Sequence, residues 1–294
     1  MNLKNKINGK ILPVIALSMI SHAADAVPFA FDGRSLGMGG VSTATADLAT
    51  AAWANPAMLT NQRPADDFSL LIGIGAFVRD DDGLIQDIDD YQAADDRLQA
   101  AASPSDPEAI AAIQEMTDIL NNIDSKNMAM DVTGLAAVGM AFDTFAMALS
   151  IRGDAIGAGA VENVSTNPAD LINPTPDTNV LNLEGVIATE FGLSIAKAYK
   201  IYNRKVSIGI KPKIVDLQAY NYRESIHTID GLGEIFDNGK KSDLGTFSTF
   251  DLGASVDFTR SLRLGLNVRN LITDEFELGG AVLNFDTEAR LGLA

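Results

Sequence analysis

Few residues of this chain combine the types and spacing that catalysis or metal binding needs. The 294 residues include no cysteine, which excludes a Cys nucleophile, a Cys-ligated zinc site, an iron–sulfur cluster and a disulfide scaffold. Of the two histidines, His22 and His227, the second has no identifiable nucleophile beside it. We therefore expect no enzymatic activity, with a lipid or carbohydrate enzyme as the disfavoured alternative, and no cofactor. His227 is expected to be solvated in a loop.

Two short motifs resemble ligand-binding loops. Gly37-Met38-Gly39-Gly40 follows no strand and lacks the Gly-Lys-Ser/Thr ending of a phosphate loop, so nucleotide binding is not predicted. Asp80-Asp81-Asp82-Gly83 clusters carboxylates, but its alignment with an EF-hand loop places Val78 at the first ligand position. An EF-hand is therefore not predicted, and loose divalent-cation binding is the open alternative.

The charge balance restricts the partners of the protein. The chain has 39 Asp and Glu against 22 Lys and Arg, a formal charge of -17. Because a nucleic-acid surface needs clustered Lys and Arg, no nucleic-acid partner is expected. Basic partners and water remain open.

The first 26 residues have the pattern of a signal peptide. Lys4, Lys6 and Lys10 form a basic start, and an apolar stretch over 11–20 is too short to span a bilayer as a helix. Small residues at Ala24-Asp25-Ala26 predict cleavage after Ala26, with Ala23 as the weaker choice. We expect export, and an amphipathic or buried N-terminal helix is the alternative.

Apolar residues alternate with small or polar residues through most of the remaining chain, which is the period of β-strands. Eight strands are predicted at Phe68–Val78, Val132–Phe142, Phe145–Ile151, Ile187–Ile195, Val206–Ile214, Phe250–Phe258, Leu262–Val268 and Leu283–Leu293. Short turns are expected at 143–144, 202–203 and 259–261. The cross-strand pairs predicted from them include Met140–Met147, Phe142–Phe145, Ile195–Ile210, Val256–Leu264, Phe258–Leu262, Asp257–Arg263 and Asp251–Arg269.

Short and long connections alternate along the chain, and this pattern, together with export, predicts the fold class. We expect an all-β protein, an antiparallel transmembrane outer-membrane β-barrel over 66–294, with outer-membrane lipid around it. A periplasmic β-sandwich is the alternative. Charges on the non-apolar side of the strands would face the lumen: Arg152, Lys211, Asp251, Asp257, Arg263 and Arg269.

The segment before the first strand carries a family resemblance. It reads Gly-Arg-Ser-Leu-Gly-Met-Gly-Gly over 33–40, then an Ala/Thr-rich stretch, then Asn55-Pro56-Ala57. It resembles outer-membrane proteins of the FadL-like superfamily, and most closely the TraF-like conjugal transfer proteins.

This resemblance implies that 27–65 fold as a helical hatch inside the barrel. Its candidate hatch or ligand residues are Gly37, Met38, Gly39, Gly40, Trp53, Asn55, Pro56 and Met58. The alternative is that Asn55 only caps or turns the backbone, with Pro56 fixing it and no ligand in contact.

Two functions follow from the resemblance. The first is a FadL-like channel or binding protein for hydrophobic small molecules. The second is a non-transporting envelope barrel that supports conjugation or secretion and contacts other envelope proteins. Since an eight-stranded barrel has no room for a hatch, we also expect the chain to be truncated at its C-terminus. The absence of cysteine excludes a thioredoxin-like activity.

An acidic insert over 79–131 interrupts the strand pattern. It holds fourteen acidic residues in 80–131 against Arg97 and Lys126. Two helices are predicted, the second opening at a capping box over 105–108. Their expected apolar faces are Leu84, Ile88, Tyr91 and Leu98 in the first helix, and Ile110, Ile113, Leu120 and Ile123 in the second. We expect this helical hairpin to lie over the extracellular mouth, as a gate, a partner-binding element or simply a solvated loop.

Overall fold

The computed structural model describes residues 42–62, 67–123, 125–229, 239–259, 261–278 and 281–294. The predicted signal peptide and the predicted hatch residues Gly37, Met38, Gly39 and Gly40 lie outside the described residues. None of the helices in the described part of the chain has both the length and the apolar character to cross a membrane.

The described residues form four α-helices, one 3-10 helix and ten strands. The helices are α1 (Ala51–Ala54), the 3-10 helix (Pro56–Thr60), α2 (Leu84–Ala100), α3 (Pro107–Ile123) and α4 (Pro168–Ile172). The strands are β1 (Phe68–Arg79), β2 (Asn127–Ala141), β3 (Ala146–Glu162), β4 (Val180–Ile201), β5 (Arg204–Ser225), β6 (Lys240–Thr259), β7 (Leu262–Arg269), β8 (Asp274–Leu278), β9 (Ala281–Phe285) and β10 (Glu288–Leu293).

Eight of the strands form one antiparallel, curled sheet that resembles half of a barrel. Its order is β1-β2-β3-β4-β5-β6-β7-β10, so that chain neighbours pair throughout except at the last strand. The prediction of an all-β antiparallel fold is confirmed. The expected eighth strand is divided, because 281–285 pair with β8 in a separate hairpin and only 288–293 join the large sheet.

The predicted hairpin registers are largely confirmed. Met140 pairs with Met147, and the rings of Phe142 and Phe145 stack with centroids 4.8 Å apart. Tyr202 and Asn203 both have positive φ angles, 46° and 63°, as a type I′ turn requires.

The β6–β7 turn departs from its prediction at one position. Val256–Leu264 and Asp257–Arg263 pair as expected, but Thr259 rather than Phe258 faces Leu262. The register shift between Asp257 and Thr259 is an irregularity of the bulge type, which explains why strict alternation placed the pair wrongly.

Alternation gives the sheet two faces of different character. We call the face that carries Phe68, Leu70, Ile72 and Ile74 of β1 the outer face, and the opposite one the inner face. These four side chains are exposed, with Ile74 at 88%. Residues 42–62 cover the inner face on the side of the sheet near the short turns at 143–144 and 202–203.

The sheet extends well beyond the lengths that the sequence predicted, because β3 to β6 have 17 to 22 residues each. Most of the added residues lie at the end opposite the short turns at 143–144 and 202–203, which we call the distal end, and β4 also continues past Ile195 to Ile201. There the short hairpin of β8 and β9 packs on the inner face, with Phe276 and Phe285 against Phe247.

Helices α2 and α3 form the expected helical hairpin. Its buried residues pack with Met128 and Met130 of β2, Leu183 of β4 and Tyr222 of β5. By strand alternation these residues point to the outer face. The hairpin therefore covers the outer face of the distal end, since its apolar stripe matches apolar side chains there.

The apolar face of α3 also differs from the prediction. Ile110 is 46% exposed, whereas Ala109, Ala112 and Met116 are buried together with Leu120 and Ile123. Small alanines form the contact with the sheet and α2, and a search for large apolar residues alone misses them.

The acidic run before α2 serves as a helix cap. The Asp80 carboxylate accepts hydrogen bonds from the backbone N–H groups of Leu84 and Ile85, at 2.6 and 2.9 Å. Within the described residues, no three acidic or histidine side chains are arranged to hold a metal ion.

Candidate functional site: the hatch and the ion-pair layer

Residues 42–62 form a compact segment against the inner face, which we call the hatch. Its short elements, α1 and the 3-10 helix, are almost entirely buried. Trp53 and Met58 pack with Leu135, Ala137 and Ala196 of the sheet. Trp53 and Met58, two of the candidate hatch or ligand residues, are thus core residues of the hatch contact.

Asn55 connects the hatch to the sheet and is completely buried. Its side-chain Oδ1 accepts a hydrogen bond from Ala57 N at 3.0 Å, which caps the 3-10 helix. Its Nδ2 donates to Thr43 O at 2.9 Å and to Ala254 O of β6 at 3.2 Å. Every polar atom of this amide is therefore used to hold backbone.

The Asn-Pro-Ala sequence recurs at 167–169, where it makes the same local structure. Asn167 Oδ1 accepts from Ala169 N at 3.1 Å and caps α4, with Pro168 at the first turn. The second copy lies in a connection far from the hatch and still forms the same cap. The motif by itself therefore encodes a helix cap and not a hatch contact. The cap-and-turn alternative accounts for Asn55 and Pro56.

A row of glycines on the inner face lets the hatch backbone approach the sheet. These glycines are Gly209 of β5, Gly253 of β6, Gly265 of β7 and Gly292 of β10. A Cβ at position 209 would lie 2.4 Å from Pro56 C, and one at position 265 would lie 2.5 Å from Thr43 O. Any side chain in this row would push the hatch away.

The register of the strands aligns this row, since Gly209 pairs with Gly253 and Gly265 pairs with Gly292. The sequence shows these glycines only as small residues between apolar ones. Only the strand pairing and the position of the hatch show that these glycines form one contact surface.

Next to the hatch, five charged side chains form a buried layer on the inner face: Glu190, Lys211, Lys213, Asp251 and Arg269. Glu190 binds Lys211 through one carboxylate oxygen and Lys213 through the other, the second at 3.0 Å. Lys213 also contacts Asp251 at 2.9 Å, and Arg269 lies within 4 Å of both acids. We call this set the ion-pair layer.

Lys211 of the ion-pair layer and the neighbouring Asn267 of β7 contact the hatch. The Lys211 ammonium lies 4.6 Å from the centroid of the Trp53 ring, a cation–π contact in a buried setting. Asn267 Nδ2 donates to Ala54 O at 2.9 Å. Glu190 and Asn267 were not among the sequence candidates, and a strand pattern gives no signal that singles out either.

The six charges predicted to face the lumen all lie on the inner face, but only three join the layer. Lys211, Asp251 and Arg269 do, whereas Arg152 pairs with Asp154 at 2.5 Å. Asp257 and Arg263 pair with each other at 2.5 Å near the short turn of β6 and β7, where both are partly exposed. In the ion-pair layer the acidic and basic side chains neutralise one another, so the layer offers no unpaired nucleophile or acid.

His227 is buried, contrary to the expectation of a solvated loop residue; its side chain is 4% exposed. Its Nε2 lies 2.7 Å from the Tyr91 hydroxyl, and its Nδ1 lies 3.3 Å from Asp95. Asn179 donates to the same hydroxyl at 3.3 Å. Burial raises the pKa of Tyr91, which keeps this hydroxyl protonated.

The His227 cluster therefore joins α2 to the connection after β5. The sequence gives no signal for it, because Tyr91 and Asp95 lie 136 and 132 residues before His227 in the chain.

Comparison with protein families gives one match, which covers residues 52–290 and is described as the F plasmid transfer operon TraF protein. The chain therefore belongs to this family of TraF-like proteins. The match supports the TraF-like part of the resemblance and gives no support to the FadL-like part. Comparisons with curated proteins and with solved structures gave no significant match.

Proposed function

We propose that this protein is a non-transporting structural component of the bacterial envelope, that it lies in the outer membrane, and that it supports conjugal transfer. Membership of the TraF-like family supports the association with conjugation. Two features of the sheet support the rest of the proposal. The apolar outer face supports the membrane location, and the contact between the hatch and the inner face supports the absence of transport.

The first feature is the exposed apolar belt of the outer face. Residues exposed by about 40% or more follow one another from strand to strand: Leu70, Ile72, Leu149, Phe191, Ile195, Ile208, Ile210, Ile214, Leu252, Leu266 and Leu291. Water-soluble monomers rarely expose so large a continuous apolar surface.

Aromatic side chains gather at the short-turn end of this belt, as they do at the interface of membrane barrels. They are Phe68, Phe142, Phe145, Tyr199, Tyr202 and Phe258. Arg204 stacks over Phe258, and Lys197 over Tyr199, which places cations at the same level. Lipid hydrocarbon would cover the apolar side chains of the belt, and lipid headgroups would contact the aromatic and cationic side chains at this end.

The single observation that favours a structural function over transport is the way the hatch meets the sheet. Hatch backbone lies directly on the glycine row, and Trp53 rests on a charged layer that is itself buried. A hydrophobic molecule passing along the inner face would have to displace this contact and desolvate the ion pairs, which is costly.

A gene-deletion strain tests the function directly. We expect the frequency of plasmid transfer to fall when the chain is absent and to return on complementation, while uptake of a fluorescent long-chain fatty acid is unchanged. The opposite result, reduced uptake with normal transfer, would establish the channel function instead.

The membrane location has its own test. Leu149→Arg places a charge in the middle of the belt, which costs about 2 to 4 kcal/mol near the bilayer midplane. We expect it to reduce the amount of full-length protein in the outer-membrane fraction. Asp118→Arg introduces the same residue on the exposed side of α3 and serves as the control. Equal fractionation of both variants would contradict the proposed location.

A further inference from the structure

A small apolar cavity of about 60 Å³ lies on the outer face, between the belt and the helical hairpin. Val132 and Met130 border it on β2, Leu183 and Ile187 on β4, and Tyr220 on β5. Ala155 and Gly157 of β3 lie between these strands and provide a low floor. No part of the hatch or the ion-pair layer contributes to this cavity.

Small residues continue from the cavity toward the belt. Gly153 is the next outer-face residue of β3 from Ala155 toward the belt, and it pairs with Gly134 of β2. A Cβ at Gly134 or Gly153 would meet nothing within 4 Å, so a shallow groove is open at both. The groove runs along β2 and β3 and joins the belt at Ala136 and Ile151.

Two polar groups stand at the distal side of the cavity. Tyr220 is only 9% exposed, Gly239 lies against its ring, and its hydroxyl has no hydrogen-bond partner among the described residues. A buried hydroxyl without a partner is costly, so a ligand atom that pairs with it gains affinity. Lys241 pairs in register with Tyr220, lines the same cavity and is exposed.

We propose that this groove and cavity bind one acyl chain of an outer-leaflet lipid that carries a phosphate headgroup. The chain lies along Gly134, Gly153 and Ala155, and the headgroup meets the Tyr220 hydroxyl and the Lys241 ammonium. Because short turns face the periplasm in outer-membrane barrels, the distal end faces outward, and the headgroup side of the groove then matches the outer leaflet. This inference rests on the proposed membrane location.

Native mass spectrometry of the full chain in mild detergent tests the site, with dioleoylphosphatidylglycerol, dioleoylphosphatidylcholine and free oleate as probes. We expect one tightly held phosphatidylglycerol per chain. Ala155→Phe fills the groove and should raise the Kd for phosphatidylglycerol about tenfold or more. Ala289→Phe, the same change on the exposed outer face of β10 away from the groove, should leave it unchanged.

The headgroup contact is tested with Lys241→Gln and Tyr220→Phe. We expect each to reduce the preference for phosphatidylglycerol over phosphatidylcholine, whereas Lys240→Gln, one residue away on the opposite face, should not. Retention of oleate but no phospholipid would overturn the membrane-lipid assignment in favour of a free fatty acid. No retained ligand of any kind, in protein that still fractionates with the outer membrane, would refute this site and leave the proposed function standing.

Discussion

Gly253 of β6 and Asn55 of the hatch lie so close together that a Cβ atom at position 253 would be 2.1 Å from Asn55 Oδ1. The same Cβ would lie 2.7 Å from Ala57 N, the group that Asn55 caps. The strand glycine and the hatch cap are therefore two parts of one contact.

We predict that Gly253→Ala displaces the hatch, because neither the capped backbone nor the cap can move independently. Trp53, the only tryptophan, is a built-in reporter, since it is buried in the hatch contact. Its fluorescence emission should shift to the red, and acrylamide should quench it more strongly. Gly134→Ala is the matched control, because a Cβ there meets nothing within 4 Å. Identical spectra for both variants would show that the glycine row tolerates side chains.

Asn55→Ala should destabilise the protein by about 1 to 3 kcal/mol, because it leaves buried backbone groups without their partners. The loss is measured as the change in the free energy of unfolding by urea in lipid vesicles. Asn167→Ala removes the equivalent cap from the exposed N-terminus of α4 and should cost less. A similar cost at both positions would mean that the contacts of Asn55 with Thr43 and Ala254 add nothing.

Glu190→Gln should be among the most damaging substitutions in the sheet. It leaves Lys211 buried without its acidic partner and Lys213 with Asp251 alone, and losing one partner of a buried ion pair costs about 3 to 5 kcal/mol. Glu162→Gln breaks an exposed pair with Arg223 and should change the free energy of unfolding by less than about 1 kcal/mol. A small effect at Glu190 would indicate that water enters the layer.

Substitution of His227 should loosen the helical hairpin rather than the sheet. His227→Ala removes the partner of the Tyr91 hydroxyl and of Asp95, so we expect faster hydrogen exchange over α2 with unchanged protection of β4 and β5. Tyr91→Phe keeps the ring and should give a smaller effect in the same direction. Asn122→Ala, on the exposed side of α3, is the control. Uniformly faster exchange would point to global destabilisation instead.

The sequence by itself determined most of the strands, their faces and most of their local pairing. Alternation of apolar and small residues is a property of neighbouring positions, so it placed Ile72 and Leu149 on one face and Lys211 and Asp251 on the other. Hairpin turns are equally local, which is why the turn at Tyr202 and Asn203 followed from two adjacent strands.

Only the tertiary structure decided what covers each face. That the Glu190 carboxylate meets two lysines of β5, that four glycines align beneath residues 42–62, and that α2 and α3 lie on the outer face all depend on contacts between distant segments. The physical reason is that periodicity specifies the direction in which a side chain points, whereas its partner is set by the packing of elements far apart in the chain. The burial of His227 against Tyr91 is the clearest case, because its environment is supplied entirely by other elements.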